Sequence, residues 1–197
     1  MSQFKEDAHI EAIFNEIGFG SRVLYDIGAQ LKWSNSKNLI LNHGFTGTLV
    51  DGNSEYAGEL KRNFPKANVI NKFIRPEEVN DYCPSDSWFF SLDIDTCDWW
   101  MWANLRHRPA VVVVETNPLP GMFIAHMKCG RKDINGYGMS LDAANLLASI
   151  KGYDYIGRTE VNAIYVRKEL NCKYRLPEMT EHHGAACKAT NNVCFSE

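Results

Sequence analysis

The run VVVV at 111–114 constrains this chain more than any other feature. Four β-branched residues in succession leave no polar face, so a strand built from them must be covered on both sides. Such cover comes from helices packed on either face of a sheet and reached through right-handed crossovers. The flanking sequence supplies those elements. Short apolar, β-branched or aromatic runs stand at 22–28 (RVLYDIG), 46–52 (TGTLVDG), 67–74 (ANVINKFI), 87–95 (SWFFSLDID) and 109–116 (PAVVVVET). Helix-forming segments at 34–44, 54–64 and 97–106 separate them, with Ser or Asn near their starts and Gly or Pro near their ends. Ahead of them, Phe4, Ile10, Ile13, Phe14 and Ile17 recur at helical spacing and predict an amphipathic helix closed by Gly18 and Gly20.

After a loop around 117–138, Ser140 can cap a helix over 141–151 that Gly152 stops. Two strands follow, at 153–157 and 163–170, joined by RTEVN. A parallel crossover needs a dozen residues or more, so this pair must be antiparallel. The expected fold is therefore α/β: a doubly wound, mostly parallel seven-stranded sheet with a closing antiparallel hairpin and helices on both faces. With 197 residues the chain can bury on the order of 70% of its extended surface in one core. Residues 1–170 read as a single Rossmann-like domain, with 1–20 its N-terminal helix, and 171–197 as a loosely packed extension.

Composition removes several functions. A net charge of -3, from 21 basic and 24 acidic side chains, leaves no broad electrostatic footprint for nucleic acid or anionic lipid. No apolar run approaches the roughly 18 to 20 residues of a membrane span, and MSQFKEDAHIEAIF is acidic where a signal peptide is basic. The expected location is cytoplasmic. The 6 cysteines form no C-x-x-C pair, so reduced thiols are expected. His182, His183, Cys187 and Cys194 match no standard zinc spacing, and their segment reads as a solvated tail.

In an open parallel sheet, ligands bind outside the carboxyl ends of the strands, near the point where strand order reverses. Carboxylates stand at four of those ends: Asp26 before Gly28 and Ala29, Asp51 before Gly52, Asp93 with Asp95, and Glu115. Acids crowded on one edge repel one another unless they meet hydroxyls, ammonium groups or a cation. Asp51 follows Asp26 at about the interval where a second-strand acid meets a ribose, although Asp-Gly is also common turn chemistry.

The segments LYDIGA (24–29), LVDGN (49–53), SLDIDTCD (91–98) and RPAVVVVETN (108–117) together resemble the FkbM-like branch of the S-adenosylmethionine-dependent methyltransferases. Asp26, Gly28, Ala29, Asp51, Asp93, Asp95, Asp98 and Glu115 fall on matching motif positions, and 138–170 looks like the family's closing helix and hairpin. The resemblance spans roughly 20–170. It implies S-adenosylmethionine as cofactor, with Asp51 accepting from the ribose hydroxyls, Gly28 making room for the amino acid end, and Asp26 or Asp93 holding its ammonium group. Two residues depart from the pattern: Lys32 replaces the second glycine of the first motif, and Thr96 the glycine of the fourth. A lysine at 32 either pairs with the methionine carboxylate or fills its space.

Methyl transfer to a hydroxyl needs a base, and Asp95 and Glu115 are the candidates, with helix capping as the competing role. The implied substrate is a small molecule or a sugar. Asp93, Asp95 and Glu115 also suit a divalent cation, magnesium or manganese. That keeps two rivals open: a metal-dependent sugar-nucleotide transferase using Asp93 and Asp95, and a non-catalytic binding module that has lost the cofactor. Of the neighbouring Trp99, Trp100 and Trp102, at most two can face inward on one helix. Trp33 can cover a ligand or pack in its loop, and His126 reads as a surface residue.

Overall fold

A computed structural model describes residues 6–117, 121 and 138–177. Eight strands form one sheet: β1 (Val23–Ile27), β2 (Thr46–Asp51), β3 (Asn68–Asn71), β4 (Phe89–Leu92), β5 (Val111–Asn117), β6 (Met139–Ser140), β7 (Tyr153–Arg158) and β8 (Asn162–Arg167). The helices are α1 (Glu6–Ile17), α2 (Lys37–His43), α3 (Ser54–Asn63), α4 (Val79–Tyr82), α5 (Asp98–Asn104) and α6 (Leu141–Lys151). The order across the sheet is β3-β2-β1-β4-β5-β8-β7, and the two-residue β6 pairs with the end of β5. β8 runs antiparallel to both β5 and β7, while the first five strands are mutually parallel. Strand order therefore reverses between β1 and β4.

The doubly wound expectation holds, and burial explains it. Val111 and Val113 join Leu24, Leu49, Phe89, Ile164 and Val166 in one apolar layer beneath α1, α2 and α3. Val112 and Val114 join Tyr25, Ile27, Phe90, Leu92 and Tyr165 in the other, beneath α4, α5 and α6. Side chains alternate along a strand, so a residue two positions beyond a member of one layer stays on that face. Trp102 is fully buried against Tyr153 and Tyr165, and Trp99 and Trp100 lie half-buried at the margin of the same cluster.

Local signals act where they were read. The Ser140 hydroxyl accepts from the Ala143 amide at 3.2 Å, and Gly152 closes α6 in the left-handed region at φ 77°. Residues 171–177, the first of the expected extension, lie along α1. The Glu16 carboxylate accepts from the amides of Lys173 and Tyr174, and His9 Nδ1 lies 2.7 Å from the Tyr174 hydroxyl. Leu176 fills the space above Gly157. The remainder of the extension, the Cys/His tail and His126 lie outside the described residues. Cys83 and Cys172 are free thiols, but Cys97 is disulfide-bonded, against expectation. Among the described residues no helix is long and apolar enough to cross a membrane.

Candidate active site

The reversal point lies between β1 and β4, and ligands of such sheets bind at the carboxyl ends of the strands there. The pairs Ile27–Val50, Ile27–Leu92 and Leu92–Val114 are in register. One step further therefore places Asp51, Gly28, Asp93 and Glu115 in a single row across β2, β1, β4 and β5. Asn162 on β8, the register partner of Glu115, extends the row. All of these positions share the face covered by α1, so the sequence-assigned carboxylates converge on one rim.

Gly28 sits at the centre of that row with φ 82°, and a Cβ there would lie 1.7 Å from the main-chain oxygen of Asp93. What Gly28 makes room for within the chain is the backbone of β4. Its amide and that of Ala29 both donate to the Val50 carbonyl, at 2.9 and 3.1 Å, which locks the β1 turn onto β2. Ala29 is itself buried.

Asp26 lies one layer deeper. It accepts from the Ser36 hydroxyl at 2.5 Å, and Ser91 opposite it on β4 also hydrogen-bonds its carboxyl. Burial nevertheless pushes its pKa up to about 6. Asp51 accepts from the Asn53 amide at 2.6 Å, and burial raises its pKa as well. Asn53 in turn caps α3.

Asp93, Asp95 and Glu115 bring carboxylate oxygens within 4.8 Å of one another, a spacing that could also hold a metal ion. Asp93 and Glu115 are within hydrogen-bonding reach, and both are held above the usual carboxylate range: Asp93 by burial and then by Asp95, against the hydrogen bond with Glu115, and Glu115 by burial and then by Asp93 and Asp95. Partial burial and this closeness both favour keeping a proton on the pair. Asp95 is the exposed member and adopts φ 61°. The loop carrying it is organised by Asp98, which accepts from the amides of Ile94 and Thr96, each at 3.0 Å. Among the described residues, it is Asp98 that takes these loop amides, rather than Asp95 or Glu115. Full burial pushes the Asp98 pKa up to about 7.

One residue invisible to motif reading joins the arrangement. Glu6 is fully buried at the start of α1, where its Oε1 accepts from the Thr159 hydroxyl at 2.7 Å and from Asn162 Nδ2 at 3.1 Å. Its charge contributes to the raised pKa of Asp93. In an amphipathic helix an acidic residue reads as solvent-facing, so only packing reveals this one. Lys32 is exposed, with its ammonium 4.5 Å from the centre of the Trp33 ring. It does not plug the row, and its backbone is not in the left-handed region that would call for glycine. An open cleft of about 540 Å³ lies at the opposite edge of the sheet, lined by Arg106, Arg108 and Lys151. There Arg108 and Lys151 are spent on the carbonyl ends of helices, such as Leu105 O and Lys151 O.

No protein-family model matches the sequence, and no curated protein is similar to it. Solved structures are. A "putative caffeoyl-CoA O-methyltransferase from Staphylococcus aureus" superposes with a TM-score of 0.56 at 13% identity, over 85% of each chain. The chain has the Rossmann-like methyltransferase fold. The N-terminal domain of EvdMO1, solved with SAH bound, superposes with a TM-score of 0.50 at 11% identity, over 85% of this chain and 82% of that one.

Proposed function

We propose that this chain is an S-adenosylmethionine-dependent methyltransferase of the FkbM-like kind, acting on a hydroxyl of a small molecule or sugar. The observation that carries this reading is the row Asp51, Gly28, Asp93 and Glu115, set on one face at the reversal point of a methyltransferase-fold sheet. The fold likeness to a domain solved with SAH supports it.

The residues fit such a cofactor, which is a cation with a ribose and an ammonium group. Among the described residues, none of Asp26, Asp51, Asp93, Asp95 and Glu115 is ion-paired to Lys or Arg. Asp51 takes the ribose hydroxyls, and Asp93, backed by Asp26, takes the ammonium group. When bound, S-adenosylmethionine supplies a methyl group on sulfur whose bonding pair stays with the sulfur. Asp95, facing solvent at the rim, receives the proton of the acceptor hydroxyl as the new carbon–oxygen bond forms. Glu115 keeps its shared proton and hydrogen-bonds the acceptor. Lys32 is placed to meet the methionine carboxylate only by leaving Trp33.

Calorimetry with S-adenosylmethionine and SAH tests this directly. We expect micromolar binding that Asp51→Ala weakens at least about tenfold, the loss of a charge-assisted hydrogen bond. Silence with both nucleosides, together with manganese-dependent binding of a sugar nucleotide, would favour a transferase using Asp93 and Asp95.

A further inference from the structure

Asn162 ends the row on its β8 side and is 2% exposed, yet among the described residues its Oδ1 has no hydrogen-bond partner. The rest of the residue is paired. Its Nδ2 donates to Glu6 Oε1 at 3.1 Å, its main-chain amide donates to the Thr159 hydroxyl oxygen at 3.2 Å, and its main-chain carbonyl accepts from the Thr159 amide at 2.9 Å. The Thr159 hydroxyl donates to the same Glu6 Oε1 at 2.7 Å. This network fixes which way round the side-chain amide sits. A carboxylate only accepts, so an inverted amide would set Oδ1 against Glu6 and lose the hydrogen bond. Oδ1 is thus held as the open end of a closed network. A buried carbonyl without a donor is costly, and native chains rarely keep one without a use for it.

The place of Asn162 in the sheet narrows what that use is. It is the register partner of Glu115, and cross-strand partners stand about 5 Å apart. Across the sheet the row runs Asp51, Gly28, Asp93, Glu115, Asn162, on β2, β1, β4, β5 and β8. A cofactor reaching from Asp51 to Asp93, as proposed above, covers β2, β1 and β4 and leaves β5 and β8 to the methyl acceptor. We infer that Asn162 Oδ1 accepts a hydrogen bond from a second hydroxyl of that acceptor, next to the one Glu115 holds, so that the site selects a vicinal diol over a lone hydroxyl. This rests on the methyltransferase reading. A mono-alcohol engages Glu115 and leaves Oδ1 bare, whereas a diol satisfies both. Sites built to hydrogen-bond a hydroxyl reject the analogue that lacks it, because their own polar atom then stays unpaired.

Two probes that differ by one hydroxyl, cis-1,2-cyclohexanediol and cyclohexanol, test this when titrated into the protein saturated with SAH. The diol should bind at least about tenfold more tightly, well within what such sites reach, and Asn162→Ala should bring the two alcohols to within about twofold of each other. Thr159→Val removes a hydrogen bond from the same network but leaves Oδ1 in place, so it should lower the melting temperature and keep the preference for the diol. Equal binding of the two alcohols to the unsubstituted protein would overturn the inference, whether or not Asn162→Ala folds. A preference that survives Asn162→Ala, or one that Thr159→Val erases as completely, would overturn it as well. Absence of diol binding to the SAH-loaded protein would do the same and leave the methyltransferase reading standing. Failure of the unsubstituted protein to bind SAH would overturn both.

Discussion

Asp93 and Glu115 stand side by side at the ends of neighbouring parallel strands, half-buried, their carboxyls close enough to share a proton. Neither carboxylate has a cation of the chain beside it among the described residues, so the folded state holds protons there that the unfolded chain would release.

Stability should therefore fall as pH rises. Burial raises the folded pKa of Asp26 from 3.8 to about 6 and of Asp98 from 3.8 to about 7, and Asp93 and Glu115 shift the same way. Between pH 4 and about 7 the folded state binds more protons than the unfolded one, which makes the slope of stability against pH negative. Thermal melts should show a lower Tm at pH 8 than at pH 5. A Tm that climbs over this interval would contradict the burial of these groups.

Glu115→Gln should flatten that dependence. The amide can still donate to Asp93 but cannot ionise, so the cost of burying a charge beside Asp93 and Asp95 disappears. Above pH 7 the variant is expected to melt a few degrees higher than the parent. Equal or lower Tm at pH 8 would show that Glu115 is not under electrostatic load.

Gly28→Ala should cost at least about 3 kcal/mol by chemical denaturation. The methyl would strike the Asp93 main-chain oxygen, and the backbone is left-handed at φ 82°. A loss below about 1 kcal/mol would mean that β1 and β4 can part without penalty.

Glu6→Ala should loosen α1 from the hairpin. Thr159 and Asn162 would keep buried donors without their carboxylate, a loss of about 1–3 kcal/mol. Limited proteolysis should cut α1 faster in the variant, and unchanged protection would argue that the apolar contacts of Ile10, Ile13 and Phe14 hold the helix alone.

Lys32→Ala should change SAH affinity less than about threefold, because the ammonium stacks on Trp33 rather than in the row of acids. A larger loss would mean that Lys32 swings to the methionine carboxylate on binding.

The helix and strand order was legible because each signal is local. The uninterrupted valines demanded cover on both faces, Ser140 and Gly152 bounded α6, and the short link between the last two strands, three residues between β7 and β8, forced them antiparallel. Strand order was not legible. Nothing in AIYVRKEL says that β8 slots between β5 and β7, since that pairing joins residues about 50 apart, as in Val111 with Val166.

The site divides in the same way. The residue types at the strand ends, Asp26, Asp51, Asp93, Asp95 and Glu115, could be picked out from alternation and turn chemistry alone. Their common face followed from the period of two along each strand once the strands were in register. The burial of Glu6 and the closeness of the Asp93 and Glu115 carboxyls arise from elements distant in sequence. Packing alone sets the dielectric around a carboxyl. The chain by itself determined which groups would gather at the carboxyl edge of a parallel sheet, and tertiary structure decided which of them are buried among apolar neighbours and which stay open to solvent.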